Sequence, residues 1–186
     1  NLWFRNVAAT TIFFLFDCKG KFLDYGGGYG VFVRMMRDVG FDFYWQDKYT
    51  ENLFAQGFEF AKTEKLTIDL LTCFEAFEHF VDPLAEFENL LSISRNILLS
   101  SEFVPAPLPS PSEWWYYGVE HGQHIGFYQK KTFIYLAEKY NLNFYTNSRN
   151  IHLLTEKQFP APTFKWITKV SKYITPFIQK RMQSLT

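Results

Sequence analysis

Residues 24 to 30, Asp24-Tyr25-Gly26-Gly27-Gly28-Tyr29-Gly30, carry the clearest chemical signal in the chain: an acid followed by glycine at every second position, D-x-G-x-G-x-G. Glycines there let the backbone turn tightly and let a ligand lie against main-chain atoms with no Cβ in the way. The dinucleotide fingerprint G-x-G-x-x-G needs a further glycine where this chain has Val31, and no Gly-Lys-Ser/Thr follows to make a phosphate loop. Asp47 lies 21 positions beyond Gly26, at the end of the next apolar run. A carboxylate at that place can accept both hydrogen bonds of a ribose diol. A second cluster is Glu75-x-x-Glu78-His79. On a helical turn these three residues share a face, which brings two carboxylates and an imidazole together. His121 and His124 flank a glycine-containing turn, and imidazole is the natural base near neutral pH. His152 alternates within an extended run and reads as structural.

The elements that must position these groups alternate between extended and helical periodicity, the pattern of an α/β fold with a parallel sheet. Arg5–Asp17 reads as a leading helix, Lys21–Tyr25 as a buried strand ending at the glycines, and Val31, Met35, Met36 and Val39 as the apolar face of a helix stopped by Gly40. Phe41–Trp45 reads as the second strand, Thr50–Gln56 as a short helix and Ile68–Cys73 as a third extended run. Asp82 and Pro83, a cap followed by an N1 proline, open a helix through Leu84, Phe87, Leu90 and Leu91. Asn96–Ser101 is a further strand. Glu102–Tyr117 has proline at alternate positions from Pro105 to Pro111 and ends in Trp114, Trp115, Tyr116 and Tyr117, the composition of a long extended loop. Lys131–Tyr140 is amphipathic, and Leu142–Thr146 and Ile151–Thr155 are extended.

With these motifs in this order, the sequence resembles the class I S-adenosylmethionine-dependent methyltransferases over about Phe22 to Glu156. The D-x-G-x-G-x-G loop looks like their motif I, and Tyr44-Trp45-Gln46-Asp47 looks like the end of their second strand. Ile68 to Pro83 is similar to the fourth-strand block of one branch, which carries E-x-x-E-H-x-x-D-P, and His121 to Tyr128 resembles that branch's later histidine segment. The resemblance implies a Rossmann-like, doubly wound, mostly parallel sheet with helices on both faces and an antiparallel strand near the C-terminal edge. It implies a methyl transfer from S-adenosylmethionine to a small-molecule acceptor, with an oxygen nucleophile the leading choice; the aromatic lid adds a sugar or glycan precursor as one acceptor to consider. Asp24 then sits where the motif-I acid holds the methionine amino group. Tyr25, Gly26, Gly28 and Gly30 form the turn around the cofactor, and Asp47 matches the ribose ligand. Phe74 and Glu75 leave the fourth strand beside the methionine moiety. No convincing third strand with an adenine-contacting acid stands between Phe58 and Lys65, where Glu59 is the candidate. Relatives with the E-x-x-E-H pattern hold a divalent ion with the help of a later histidine, which here would be His124. The expectation is nevertheless that Glu78 and His79 shape the pocket without a metal. His124, His121 and His79, with Glu78, are the candidates for catalysis. A non-catalytic binding or scaffold module of the same fold is the alternative, and a nicotinamide-dependent oxidoreductase is disfavoured by Val31.

Composition narrows the rest. At 186 residues the chain fits one main domain, over 1–159 with a lid loop at 102–128, followed by a basic amphipathic helix at 160–186. Nineteen basic and nineteen acidic residues cancel, so no nucleic-acid partner is expected. Two cysteines make no disulfide scaffold, and no apolar run is long enough to span a bilayer, which together suggest a cytoplasmic setting. The C-terminal stretch has five basic residues and no acid, so it reads either as a helix docked on its own domain or as a contact for an anionic membrane or partner. The oligomeric state is not legible.

Overall fold

The computed structural model describes residues 2–61, 66–120 and 122–186. Strands β1 (Lys21–Tyr25), β2 (Asp42–Gln46), β3 (Leu70–Cys73), β4 (Ile97–Ser100), β5 (Asn143–Thr146) and β6 (Ile151–Thr155) form one sheet in the order β2-β1-β3-β4-β6-β5. The first four strands are parallel, and β6 runs antiparallel to both β4 and β5. Both faces of the parallel strands are apolar and covered, as such sheets require. On one face, α1 (Leu2–Leu15), α2 (Val31–Val39) and α5 (Ala161–Arg181) pack on Phe22, Phe43, Leu70 and Leu98. On the other, α3 (Pro83–Ile93) and α4 (Lys130–Lys139) pack on Leu23, Leu71, Ile97 and Leu99. The architecture is the doubly wound Rossmann-like one expected, with the antiparallel strand at the C-terminal side.

Local chemistry explains the boundaries. Asp82 caps α3 by accepting from the Ala85 N–H at 3.0 Å, and Pro83 sits at the first turn. Gly40 ends α2 with φ 112, and its N–H reaches back to the carbonyls of Met36 and Arg37. Arg37 is itself buried and bonds Asp42 Oδ1 at 2.6 Å and the Phe43 carbonyl at 3.0 Å while lying over the Phe58 ring. Helix α5 packs against α1, burying Phe164 and Ile178 in the same core as Val7 and Ile12, and it buries Ile167 as well, each worth about 1.5–3 kcal/mol.

One expectation about these elements fails and one holds. Thr50–Gln56 is not a helix but a series of turns, because side chains capture its backbone: Asp47 Oδ1 accepts from the Tyr49 and Thr50 N–H groups, and Asn52 Oδ1 accepts from Ala55. Beyond β2 the described residues form only a single parallel bridge, Trp45 to Glu59, in place of a third strand; Lys62–Lys65 lie outside the described residues.

Candidate active site

Strand β1 delivers Asp24 and then the glycines at the carboxyl edge of the parallel strands, the edge where open α/β sheets bind ligands. The Gly26 and Gly27 N–H groups donate to the Gln46 carbonyl at 2.9 and 3.1 Å, so the loop leans on the end of β2. Gly28 is left-handed, with φ 52, and a Cβ there would meet nothing within 4 Å. The open flank at Gly28 is where a ligand can approach bare main chain. Gly27 is closed instead: a Cβ would stand 2.7 Å from the Trp45 ring and 3.0 Å from Asp24. Beside the loop is a cavity of about 290 Å³ lined by Phe4, Asp24, Gly26–Gly28, Phe32, Phe74 and Glu75. Phe4 stacks on Phe74 at 4.6 Å, and Phe32 meets Phe74 edge-on at 5.3 Å, giving the cavity an aromatic wall.

Asp24 is buried, and its Oδ1 accepts from the Thr72 hydroxyl at 2.7 Å. Burial pushes its carboxyl up to about 7, and the negative charge of Asp47 adds to the effect. Asp47 stands beside the loop as expected, but its Oδ2 accepts from the Gly28 N–H at 2.9 Å and its Oδ1 from two further N–H groups. Of about four lone-pair positions on a carboxylate, one is left for a ligand hydroxyl rather than the two needed for both. Glu59 is engaged by Asn52 Nδ2 and the Gly57 N–H. Tyr25 gives the loop only its main chain, since its hydroxyl donates to Glu86 on α3 at 2.6 Å.

The Glu75–His79 segment departs from the helical spacing assumed for it. Glu75 adopts φ 49, and only Phe77–His79 form a tight 3-10 turn. Glu75 therefore turns to β4, where its N–H donates to Ser100 Oγ at 2.7 Å and the Ser100 hydroxyl donates to Glu75 Oε1 at 2.6 Å. One carboxylate, not two, joins the imidazoles: ligating atoms of Glu78, His79 and His124 all lie within 4.8 Å of one another. His121 lies outside the described residues. His79 Nδ1 faces the Gln123 carbonyl at 2.8 Å, and His124 Nδ1 faces the Tyr116 carbonyl at 2.6 Å. A carbonyl only accepts, so each Nδ1 carries hydrogen, and in the neutral ring the lone pair is on Nε2. The Glu78 carboxylate is fully buried and neither oxygen has a hydrogen bond of good geometry; burial raises its proton affinity, and Tyr116 and His79 partly offset this.

The loop holds this cluster from above. The Ile125 and Gly126 N–H groups both donate to the Glu78 carbonyl at 2.9 Å, and the Tyr128 hydroxyl donates to the Phe77 carbonyl. Trp114, Tyr116 and Tyr117 pack with Phe127, while Trp115 is 72% exposed. His152 is buried between the Ser101 carbonyl and Thr146, stacked on Phe103, and burial lowers its pKa to about 4. It is structural, as its place in the strand suggested. Sequence reasoning missed Phe4, Thr72, Ser100 and the Tyr116 hydroxyl as parts of the site. Thr72 lies within the Ile68–Pro83 block but was not singled out there, although it pairs in register with Asp24; the other three sit in no motif.

A sequence model of the family described as "Methyltransferase domain" matches residues 3–147. No curated protein matches the sequence. Among solved structures, human N-acetylserotonin methyltransferase, in complex with SAM, aligns with TM-score 0.55 at 15% identity over 84% of this chain and 53% of its own. The magnesium protoporphyrin IX methyltransferase of Synechocystis PCC 6803, with bound SAH, aligns with TM-score 0.56 at 16% identity over 81% of this chain and 80% of its own. A methyltransferase of calicheamicin biosynthesis, in an SAH-bound form, gives TM-score 0.56 at 14% identity, covering 84% of this chain and 54% of its own. The chain thus spans about half the length of the first and third of these structures.

Proposed function

The chain belongs to the methyltransferase-domain family, and from that premise we propose that it binds S-adenosylmethionine at the Gly26–Gly30 loop and directs its methyl group to an oxygen of a small-molecule acceptor. The observation that carries the reading is the open flank at Gly28 beside a buried, Thr72-bonded Asp24 and an aromatic-walled cavity. Those residues fit the cofactor. Asp24 offers a carboxylate to its ammonium, bare main chain lies along its length, and the ring faces of Phe4 and Phe74 suit a cationic sulfonium. When bound, the cofactor supplies an electrophilic methyl on a neutralisable leaving group.

The protein's own contribution is position and proton removal. Holding two reactants in near-attack geometry is worth several kcal/mol. The Nε2 of His79 or His124 would take the hydroxyl proton of the acceptor and so make its oxygen nucleophilic. The adjacent Glu78 carboxylate, when ionised, stabilises the imidazolium so formed. The exposed Trp115 supports a sugar-like acceptor, since an indole face packs well on a pyranose. A second reading rests on the orphaned Glu78 carboxylate: Glu78, His79 and His124 suit a divalent ion, which would acidify an acceptor hydroxyl. Calorimetry with S-adenosylmethionine and S-adenosylhomocysteine tests the main proposal. Binding of both, lost in Gly28→Val, is expected; absence of binding by the folded protein sinks it and leaves a scaffold module. Activity that survives exhaustive chelation excludes the metal reading.

A further inference from the structure

The molecule carries one surface that the reaction does not use. Helix α5 exposes a face on which Lys165, Lys169, Lys172 and Lys180 fall in one stripe and Trp166, Tyr173 and Phe177 in the next, by rotation of 100° per residue. These three aromatics are 48%, 63% and 66% exposed. Phe14 of α1 leans edge-on against Trp166 at 5.3 Å and is itself 44% exposed, so the apolar strip continues onto the neighbouring helix. Among the described residues none of the four lysines forms an ion pair. Next to the helix is an open groove of about 640 Å³ lined by Trp3, Arg149, Lys165 and Lys169 with three polar neighbours. From Pro160 to Thr186 the chain has no acid at all, although the whole sequence is electrically balanced. On this face positive charge therefore stands without the acids that balance it elsewhere in the chain.

We propose that this α1/α5 face docks on an anionic phospholipid bilayer. Aromatic tips lie at the headgroup boundary, and lysines beside them reach the phosphates on long flexible stems, the arrangement of helices that lie in a membrane interface. A protein partner is less well served, because a run of one charge sign supplies none of the alternation that fixes register between two proteins. No helix of the described residues is long and apolar enough to cross a membrane, so the contact is peripheral. The buried side of α5 is already occupied by the core, which leaves the lysine and aromatic stripes facing outward without any rearrangement.

Flotation of the full chain with vesicles tests this directly. Binding is expected to vesicles of phosphatidylcholine mixed with phosphatidylglycerol and not to phosphatidylcholine alone, and it should fall as salt is raised. Replacing Lys165, Lys169 and Lys172 by Gln should weaken partitioning about fivefold per lysine. Tyr173→Ser combined with Phe177→Ser should reduce it at unchanged circular dichroism, since both side chains are exposed. Protein that stays in the lipid-free fraction at low salt, or binds neutral vesicles equally, overturns the proposal. A solution dimer that the Phe177→Ser variant dissolves assigns the face to a second copy and likewise overturns it.

Discussion

The carboxyl of Asp24 is the most informative single group. Its pKa of about 7 stands above the ordinary value of 3.8, so between roughly pH 4 and pH 7 the folded chain binds more protons than the unfolded one. Stability contributed by this group is therefore full below pH 4 and is lost as pH rises through 7. Asp24→Asn should flatten that decline, so that the gap in melting temperature between pH 5 and pH 8 narrows relative to wild type. The same substitution should weaken binding of S-adenosylmethionine by about 1.5–3 kcal/mol, the worth of a hydrogen bond to a charged group, with calorimetry as the check. In wild type, affinity for that cationic ligand should improve as pH is raised towards 7, because the ionised carboxylate is the form that binds. His152 has the opposite sign. Its folded pKa of about 4 lies below the usual 6.5, so stability present above pH 6.5 is lost as pH falls towards 4, and His152→Gln should blunt acid unfolding. For the base, whichever of His79→Ala and His124→Ala removes it should lower turnover by about 10²–10⁴ with little change in cofactor affinity, and the other should cost less.

At the scale of elements, the glycine loop should tolerate nothing bulky. Gly28→Val places a β-branched residue at φ 52, in the left-handed region, and on the open flank proposed for the cofactor. Loss of cofactor binding with a folded circular dichroism spectrum is the expected result. For the loop above the site, Trp114→Ala removes a ring packed on Tyr116, Tyr117 and Phe127. Acceptor KM should rise while cofactor affinity holds; equal loss of both would mean that the loop is scaffolding only. Much at this scale was legible in the sequence. Strand β1 and its glycines, the Asp82-Pro83 cap and the Gly40 stop are written in short-range rules that need no tertiary context. The Thr50–Gln56 helix was misread because Asp47 and Asn52 divert their neighbours' N–H groups, a competition that periodicity does not register. The left-handed turn at Glu75 was invisible for the same reason: its strain is held by Ser100, a partner 25 positions away. Phe4 escaped notice because its role depends on where α1 ends in space, not on its own neighbours.

For the whole molecule, two cores separated by one sheet set the stability. Helix α5 supplies Phe164 and Ile178 to the core that also backs the glycine loop, and its Ile167 is fully buried. Ile167→Ala should cost about 2–5 kcal/mol, read as a lower denaturation midpoint at unchanged slope. That loss should be global, whereas exposed changes on the same helix should leave the midpoint within about 0.5 kcal/mol.

The backbone oxygen of Glu78 receives both amides that anchor the covering segment, while the side chain of that same residue sits among the imidazoles. Any displacement of the covering segment at this point would break those two bonds beside His79 and His124. If a histidine here is the base, as proposed, admission of an acceptor and placement of that base would be coupled through this one residue, so a variant that loosens the segment should disturb both.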